Sequence, residues 1–275
     1  KENTKWQNLS VVTDIQGLTF VGGTLYIADN GNSKVYKATV PTGILVTTDP
    51  LDLAYGVANS ANTLFILVDA SPRDKILLVN PTLGTLTSSY DAPNDQGEGL
   101  TYLGTSLYYA SNKDNNRKIF ELNPSTGAEI NSFNTKDSWG NNMWETQLGL
   151  GNDGTDLILS TNSPNEACID KINKANGNNK GRLCADWDTA IKQAKDVTVA
   201  SNGFVFTAKD NKIVQLTTDG KEQAKWQNLV GATDIQGLAF IGSTLYIANN
   251  GAVTDKIYKA TIPSGITTDP RGLAY

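Results

Sequence analysis

The chain of 275 residues has no histidine at all. That absence excludes Ser-His-Asp and Cys-His nucleophilic catalysis, together with every histidine-ligated zinc site. Cysteine is nearly absent too: only Cys168 and Cys184 are present, too few for a cysteine-built metal cluster or a multi-bridge scaffold. No apolar run reaches the roughly 18 residues of a membrane-spanning helix. Basic runs are missing: 23 Lys and Arg stand against 28 Asp and Glu, a net charge of −5, which excludes the electrostatic footprint of a nucleic-acid binder. Helical periodicity is scarce. Only residues 186–194, DWDTAIKQA, read as one or two helical turns, so the helices of a TIM barrel or a Rossmann sheet are lacking. Residues 1–5 are polar and carry no leader pattern, as expected of a mature chain or an excised piece.

What is present is repetition. Residues 5–30, KWQNLSVVTDIQGLTFVGGTLYIADN, recur at 225–250 as KWQNLVGATDIQGLAFIGSTLYIANN, with 19 of 26 positions identical at an offset of 220. The match runs on through KVYKATVPTGI and KIYKATIPSGI, and TTDP and LAY recur, so 5–55 and 225–275 are near duplicates. Weaker copies lie between, with starts at residues 16, 51, 98, 147, 196 and 236; five intervals across 220 residues give a mean period of 44. Each copy carries two short apolar runs joined by a turn, rich in β-branched and aromatic residues. A third segment follows: KVYKATV, DKILLVN, RKIFELN, CIDKINK, NKIVQLT or DKIYKAT. Its charged and apolar residues alternate with period two, as in a half-exposed strand.

Four short strands per unit of about 44 residues is the pattern of blades around an axis. The expectation is an all-β propeller, one domain over 1–275, of six blades with four antiparallel strands each, or alternatively seven. The open solenoid is the rival, but its coils are shorter and need no hairpins. Trp226 to Leu229 reads as the outer strand of the blade that starts near Asp196. Its twin, Trp6 to Leu9, reads as a strand that completes the last blade and hides two sheet edges. Arg271 to Tyr275 reads as a further inner strand. Near-identity of distant segments beside weak similarity of adjacent ones points to duplication of a multi-blade unit, hence to a longer tandem array.

Residues at the starts of the inner strands converge on one end of such an axis: Asp14 and Gln16, Asp52, Asp95 and Glu98, Glu145 and Gln147, Asp196, Asp234 and Gln236. A ring of carboxylates suits a hard cation bound through oxygen, with calcium first. Set against that is the plain reading, in which these residues cap strands and accept loop amides. The motifs DNGN, NKDNN and NNG resemble fragments of calcium loops, but turn formation accounts for them. Cys168 and Cys184 enclose a loop of about 16 residues in one repeat; joined, they stabilise it by about 3 kcal/mol. Left free, they would be buried and inert. A disulfide is expected, because both flank an Asn/Gly/Lys-rich stretch. Trp139, Trp144 and Trp187 read as packing residues or as a sugar platform. Trp139, in a Gly/Asn-rich loop, is the candidate for exposure and ligand binding. Tyr108 and Tyr109 alternate in direction, so at most one faces solvent.

The segment EGLTYLGTSLYYAS followed by KIFELNPSTGAEINSF resembles blades of the NHL, YVTN and gluconolactonase-like propellers, over nearly the whole chain. That resemblance implies the fold, and it implies a metal ligand at the Glu of EGL, here Glu98. Gln16 and Gln236 stand where the pattern would place further acids. Candidate metal ligands are thus Glu98, Asp196, Asp14, Asp234 and Glu145. The leading functional expectation is a non-catalytic, secreted or cell-surface module for binding or fibre assembly, part of a tandem array. Its partners would be copies of itself or a protein or glycan surface. The alternatives are a calcium-dependent hydrolase of lactones or phosphoesters, and a carbohydrate-binding propeller. No catalytic residue is assigned.

Overall fold

The fold was obtained as a computed structural model. It describes residues 15–21, 24–29, 34–39, 44–45, 49–113, 117–143, 146–162, 167–184, 194–199, 205–209, 212–217, 222–226, 234–241, 244–250 and 256–261. Every regular element among them is a strand. The chain divides into two compact units, residues 1–42 and 43–275.

The first unit holds one three-stranded antiparallel sheet: β1 (Ile15–Val21), β2 (Thr24–Asp29) and β3 (Lys34–Thr39). The second unit holds five four-stranded sheets. Four follow chain order. They are β5 (Pro50–Ala58) to β8 (Leu86–Asp91) through β6 (Ala61–Val68) and β7 (Lys75–Val79), and β9 (Gly97–Leu103) to β12 (Glu129–Asn134) through β10 (Ser106–Ser111) and β11 (Lys118–Leu122). Then come β13 (Thr146–Asn152) to β16 (Asn179–Cys184) through β14 (Leu157–Asn162) and β15 (Ala167–Ile172), and β17 (Asp196–Val199) to β20 (Glu222–Trp226) through β18 (Val205–Lys209) and β19 (Lys212–Leu216). The fifth is β21 (Ile235–Ile241), β22 (Thr244–Asn249), β23 (Lys256–Thr261) and, on the outside, β4 (Ile44–Leu45) from the start of the unit.

The first strands of these sheets pack in sequence, β5 on β9, β9 on β13, β13 on β17 and β17 on β21, and β21 packs back on β5. Among the described residues the second unit is therefore a propeller whose five sheets form a closed circuit. The expected ring of six or seven is not shown among the described residues: a sixth sheet, β1–β3, is three-stranded and in the other unit. The closing strand differs as well. Ile44 and Leu45 pair with Ile257 and Lys256, so β4 supplies the fourth strand of the last sheet. Trp6 to Leu9, residues 186–193 of the expected helical segment and Arg271 to Tyr275 lie outside the described residues; the outer strand expected over Trp226 to Leu229 is β20, which runs earlier and ends at Trp226, with residues 227–229 outside the described residues.

Apolar residues from facing sheets fill the space between blades. Leu53, Leu64, Ile66 and Val79 pack with Ala239, Tyr246, Ala248 and Ile257, and Phe65, Leu67 and Ile76 pack with Leu100, Leu107 and Tyr109. Tyr108 and Tyr109 are both buried. All six expected third strands form, and the outer strands β8 and β12 are largely exposed, as the alternating and polar patterns required. The turns between third and fourth strands depend on glycine: Gly84 and Gly127 adopt φ of 69° and 71°, a region costly for any residue with a Cβ. Asn80 and Asn123 each accept two backbone N–H groups in the same turns.

Cys168 and Cys184 form a disulfide across β15 and β16, at directly paired positions with Cα atoms 4.3 Å apart. It ties an outer strand to the body of its sheet. Replacing both cysteines by serine is expected to lower the unfolding free energy by about 3 kcal/mol, read as a lower urea midpoint.

Candidate functional site

The five inner strands come together at one level of the axis, where they carry Asp52, Gly99, Gly149, Asp196 and Gly237. Three are glycine because space demands it. A Cβ on Gly99 would lie 2.6 Å from the Leu150 nitrogen, one on Gly237 2.5 Å from the Asp52 Cα, and one on Gly149 would overlap the Asp196 Oδ1. The two aspartates occupy what remains. Leu53 N–H donates to Asp52 Oδ1 at 2.6 Å, and Leu100 N–H donates to Asp52 Oδ2. Leu238 N–H donates to Asp196 Oδ2 at 2.6 Å, and Asp196 also accepts from Val197 and Leu150. One backbone N–H from each inner strand thus ends on this pair.

The two carboxyls also bond to each other. Both are fully buried, and loss of solvation raises the pKa of each, Asp196 to about 7. The Asp196 charge raises Asp52 further, so the pair as a whole favours holding a proton.

A second polar network lies at the starts of β9 and β13. Gly97 N–H donates to Asp74 Oδ2 at 2.7 Å. Tyr109 Oη and Ser111 Oγ donate to Asn94 Oδ1 at 2.8 and 2.9 Å. Glu98 is hydrogen-bonded to Asn112, which bonds the Gln147 backbone in both directions, at 2.8 and 3.0 Å. Gln147 Nε2 donates to Thr135 Oγ1 at 2.9 Å, while its Oε1 is buried without a hydrogen-bond partner among the described residues. Burial pushes Asp74 up to about 6 and Glu98 up to about 7.

The carboxylates expected to share a calcium ion are therefore distributed. Asp196 faces Asp52, and Glu98 faces Asn112. Asp234 binds Lys195 Nζ and Gln236 Nε2, each at 2.6 Å, and the exposed Asp95 pairs with Lys113 at 2.9 Å. Asp14 and Glu145 lie outside the described residues. Among the described residues no three His, Cys, Asp or Glu side chains are grouped to hold a metal. Asp196, Glu98 and Asp234 each have separate hydrogen-bond or ion-pair partners.

Beyond the aspartate pair, the axis widens into a cavity of ≈120 Å³ lined by Tyr55, Tyr102, Asn152, Thr198, Val199 and Phe240 among others. Asn152 Nδ2 spans two blades, donating to Thr101 Oγ1 at 2.8 Å and to the Tyr102 carbonyl at 3.1 Å. Reasoning on strand starts overlooks this cavity. The signal was the recurring L-A-Y, L-T-Y and L-A-F that follow the axial Asp or Gly.

Trp139 is 83% exposed. Its loop is held in place: Asp137 Oδ1 accepts Trp139 N–H and Asn141 N–H, each at 2.9 Å, Lys136 bridges to Asn142, and Lys136 N–H donates to the Gly177 carbonyl at 3.0 Å. Trp144 and Trp187 lie outside the described residues.

No protein-family model matches the chain, and no curated protein matches its sequence. The chain is similar in structure to virginiamycin B lyase from Staphylococcus aureus, at 15% identity and a TM-score of 0.45, over 92% of this chain and 86% of that one. It is similar to Myxococcus xanthus glutaminyl cyclase at 16% identity and a TM-score of 0.48, over 70% and 84%. It is similar to the Dos1 propeller at 12% identity and a TM-score of 0.42, over 91% and 71%. At these values the likenesses carry nothing about activity; the sheet topology itself makes the fold a β-propeller.

The raised acids set a pH dependence. Asp74, Glu98 and Asp196 hold protons in the folded state that they have lost, near pH 4, in the unfolded chain. Their contribution is complete below about pH 4 and is lost as pH rises through 6 to 7. The melting temperature is expected to fall between pH 5 and pH 8. In Asp52→Asn the amide donates to Asp196 without a titrating proton, so the fall should be shallower. Thermal melts across that range check both outcomes.

Proposed function

We propose that this chain is a non-catalytic propeller module of a secreted or cell-surface protein, which binds a glycan or protein surface and assembles with copies of itself. The observation that carries the reading is Trp139: a large aromatic side chain, 83% exposed, presented to solvent on a loop pinned by Asp137. Leaving such a ring in water is unfavourable, and a pinned loop loses little entropy when a ligand stacks on it.

The axis supports a binding role over a reaction centre. Its two carboxyls are sealed and committed to backbone amides. The cavity beside them, ≈120 Å³, is far below the roughly 300 to 1,000 Å³ of usual substrate clefts. A channel-mouth calcium hydrolase would need several free carboxylates at one point, and Glu98, Asp196 and Asp234 each face different partners. The disulfide is compatible with an oxidising compartment. No helix among the described residues is long and apolar enough to cross a membrane.

A glycan array probed with the labelled chain is expected to give signal that Trp139→Ala removes, with the melting temperature unchanged because the ring packs on little. Signal that survives the substitution would overturn the role given to Trp139. A silent array would overturn the glycan part of the reading.

A further inference from the structure

The ring closes after five sheets, and five repeats of 44 residues make 220, the offset at which the chain repeats itself. One circuit of the ring therefore returns to the same sequence. The consequence is that β1–β3 is a second copy of β21–β23, the sheet that closes the ring. The two are built alike: β1 and β21 each carry a register shift, between Ile15 and Gly17 and between Ile235 and Gly237, and the remaining pairs match residue for residue.

The residues by which β21–β23 holds its place are kept in the copy. Gly237, which clears the Asp52 backbone, corresponds to Gly17. Leu238, whose N–H reaches Asp196, corresponds to Leu18. Asp234, paired with Lys195 at 2.6 Å, corresponds to Asp14. Tyr246 and Lys259, which both reach the Pro81 carbonyl, at 3.4 and 3.1 Å, correspond to Tyr26 and Lys37. Three core positions differ, with Thr19 for Ala239, Val21 for Ile241 and Val35 for Ile257. The glycine, leucine, aspartate, tyrosine and lysine that seat the closing sheet are thus present in both copies.

We propose that β1–β3 of one chain takes the place of β21–β23 in the ring of a second chain, so that copies join by exchange of the closing sheet. The occupant is a second copy of this chain, and the interface is the one β21–β23 already makes. Because the exchanged ring has nearly the same contacts as the self-closed one, concentration decides between them. This deepens the assembly half of the function proposed above and does not depend on Trp139 or a glycan.

Lys195 reports which sheet is seated, since its partner is Asp234 in one state and Asp14 in the other. Equal amounts of light and ¹⁵N-labelled full-length chain are mixed, unfolded and refolded together, then treated with a zero-length carbodiimide at low and high protein concentration. The tryptic peptides bearing Asp14 and Asp234 differ in mass. Exchange predicts a Lys195–Asp14 link that joins light to heavy peptide and grows with concentration relative to the Lys195–Asp234 link. Gly17→Val is expected to abolish the Lys195–Asp14 link and spare Lys195–Asp234, and it leaves the self-closed ring's own contacts untouched. Only Lys195–Asp234 links at high concentration, or Lys195–Asp14 links confined to one isotope, would overturn the proposal. A silent glycan array would leave it standing.

Discussion

Five inner strands that meet at an axis each bring backbone N–H groups that water does not reach. A buried donor without an acceptor costs about as much as a lost hydrogen bond, so the ring needs acceptors on its axis. Asp52 and Asp196 supply them, one pair of carboxyls for Leu53, Leu100, Leu150, Val197 and Leu238. The arrangement works only if the other three strands stand back at the same level, which Gly99, Gly149 and Gly237 allow. Two large acceptors and three absent side chains are thus one constraint. It ties the size of the axial residues to the close approach of the strands, and it accounts for the proton that the pair retains.

Ring closure follows from the same geometry. Once β21 packs on β5, with Gly237 against the Asp52 backbone, the circuit of first strands in the second unit is complete. The last sheet then takes its outer strand from Ile44 and Leu45, near the start of the same unit, which joins the two ends of the ring by main-chain hydrogen bonds. The closing position is the one for which the chain holds two near-identical sheets, and this makes closure the step at which two chains could meet.

On the axis, the aspartate pair is buried beside a cavity of ≈120 Å³. Trp139, by contrast, stands in solvent on a loop braced by Asp137 and by the neighbouring turn at Gly177.

Local pattern determined a great deal by itself. Period-two alternation placed the third strands, glycine and asparagine marked the turns, the Gly/Asn-rich stretch around Trp139 foretold its exposure, and the spacing of Cys168 and Cys184 suited the disulfide that pairs β15 with β16. These are properties of neighbours along the chain, so the amino-acid order carries them. The number of sheets in the ring, the use of Ile44 and Leu45 as the closing strand, and the meeting of Asp52 with Asp196 were decided only by the tertiary structure. Each depends on how closely distant strands approach once the circle is shut. The carboxylates at the strand starts looked alike in sequence, yet packing turned one toward another carboxyl, one toward an amide and one toward a lysine, because each blade brings a different neighbour to the same position.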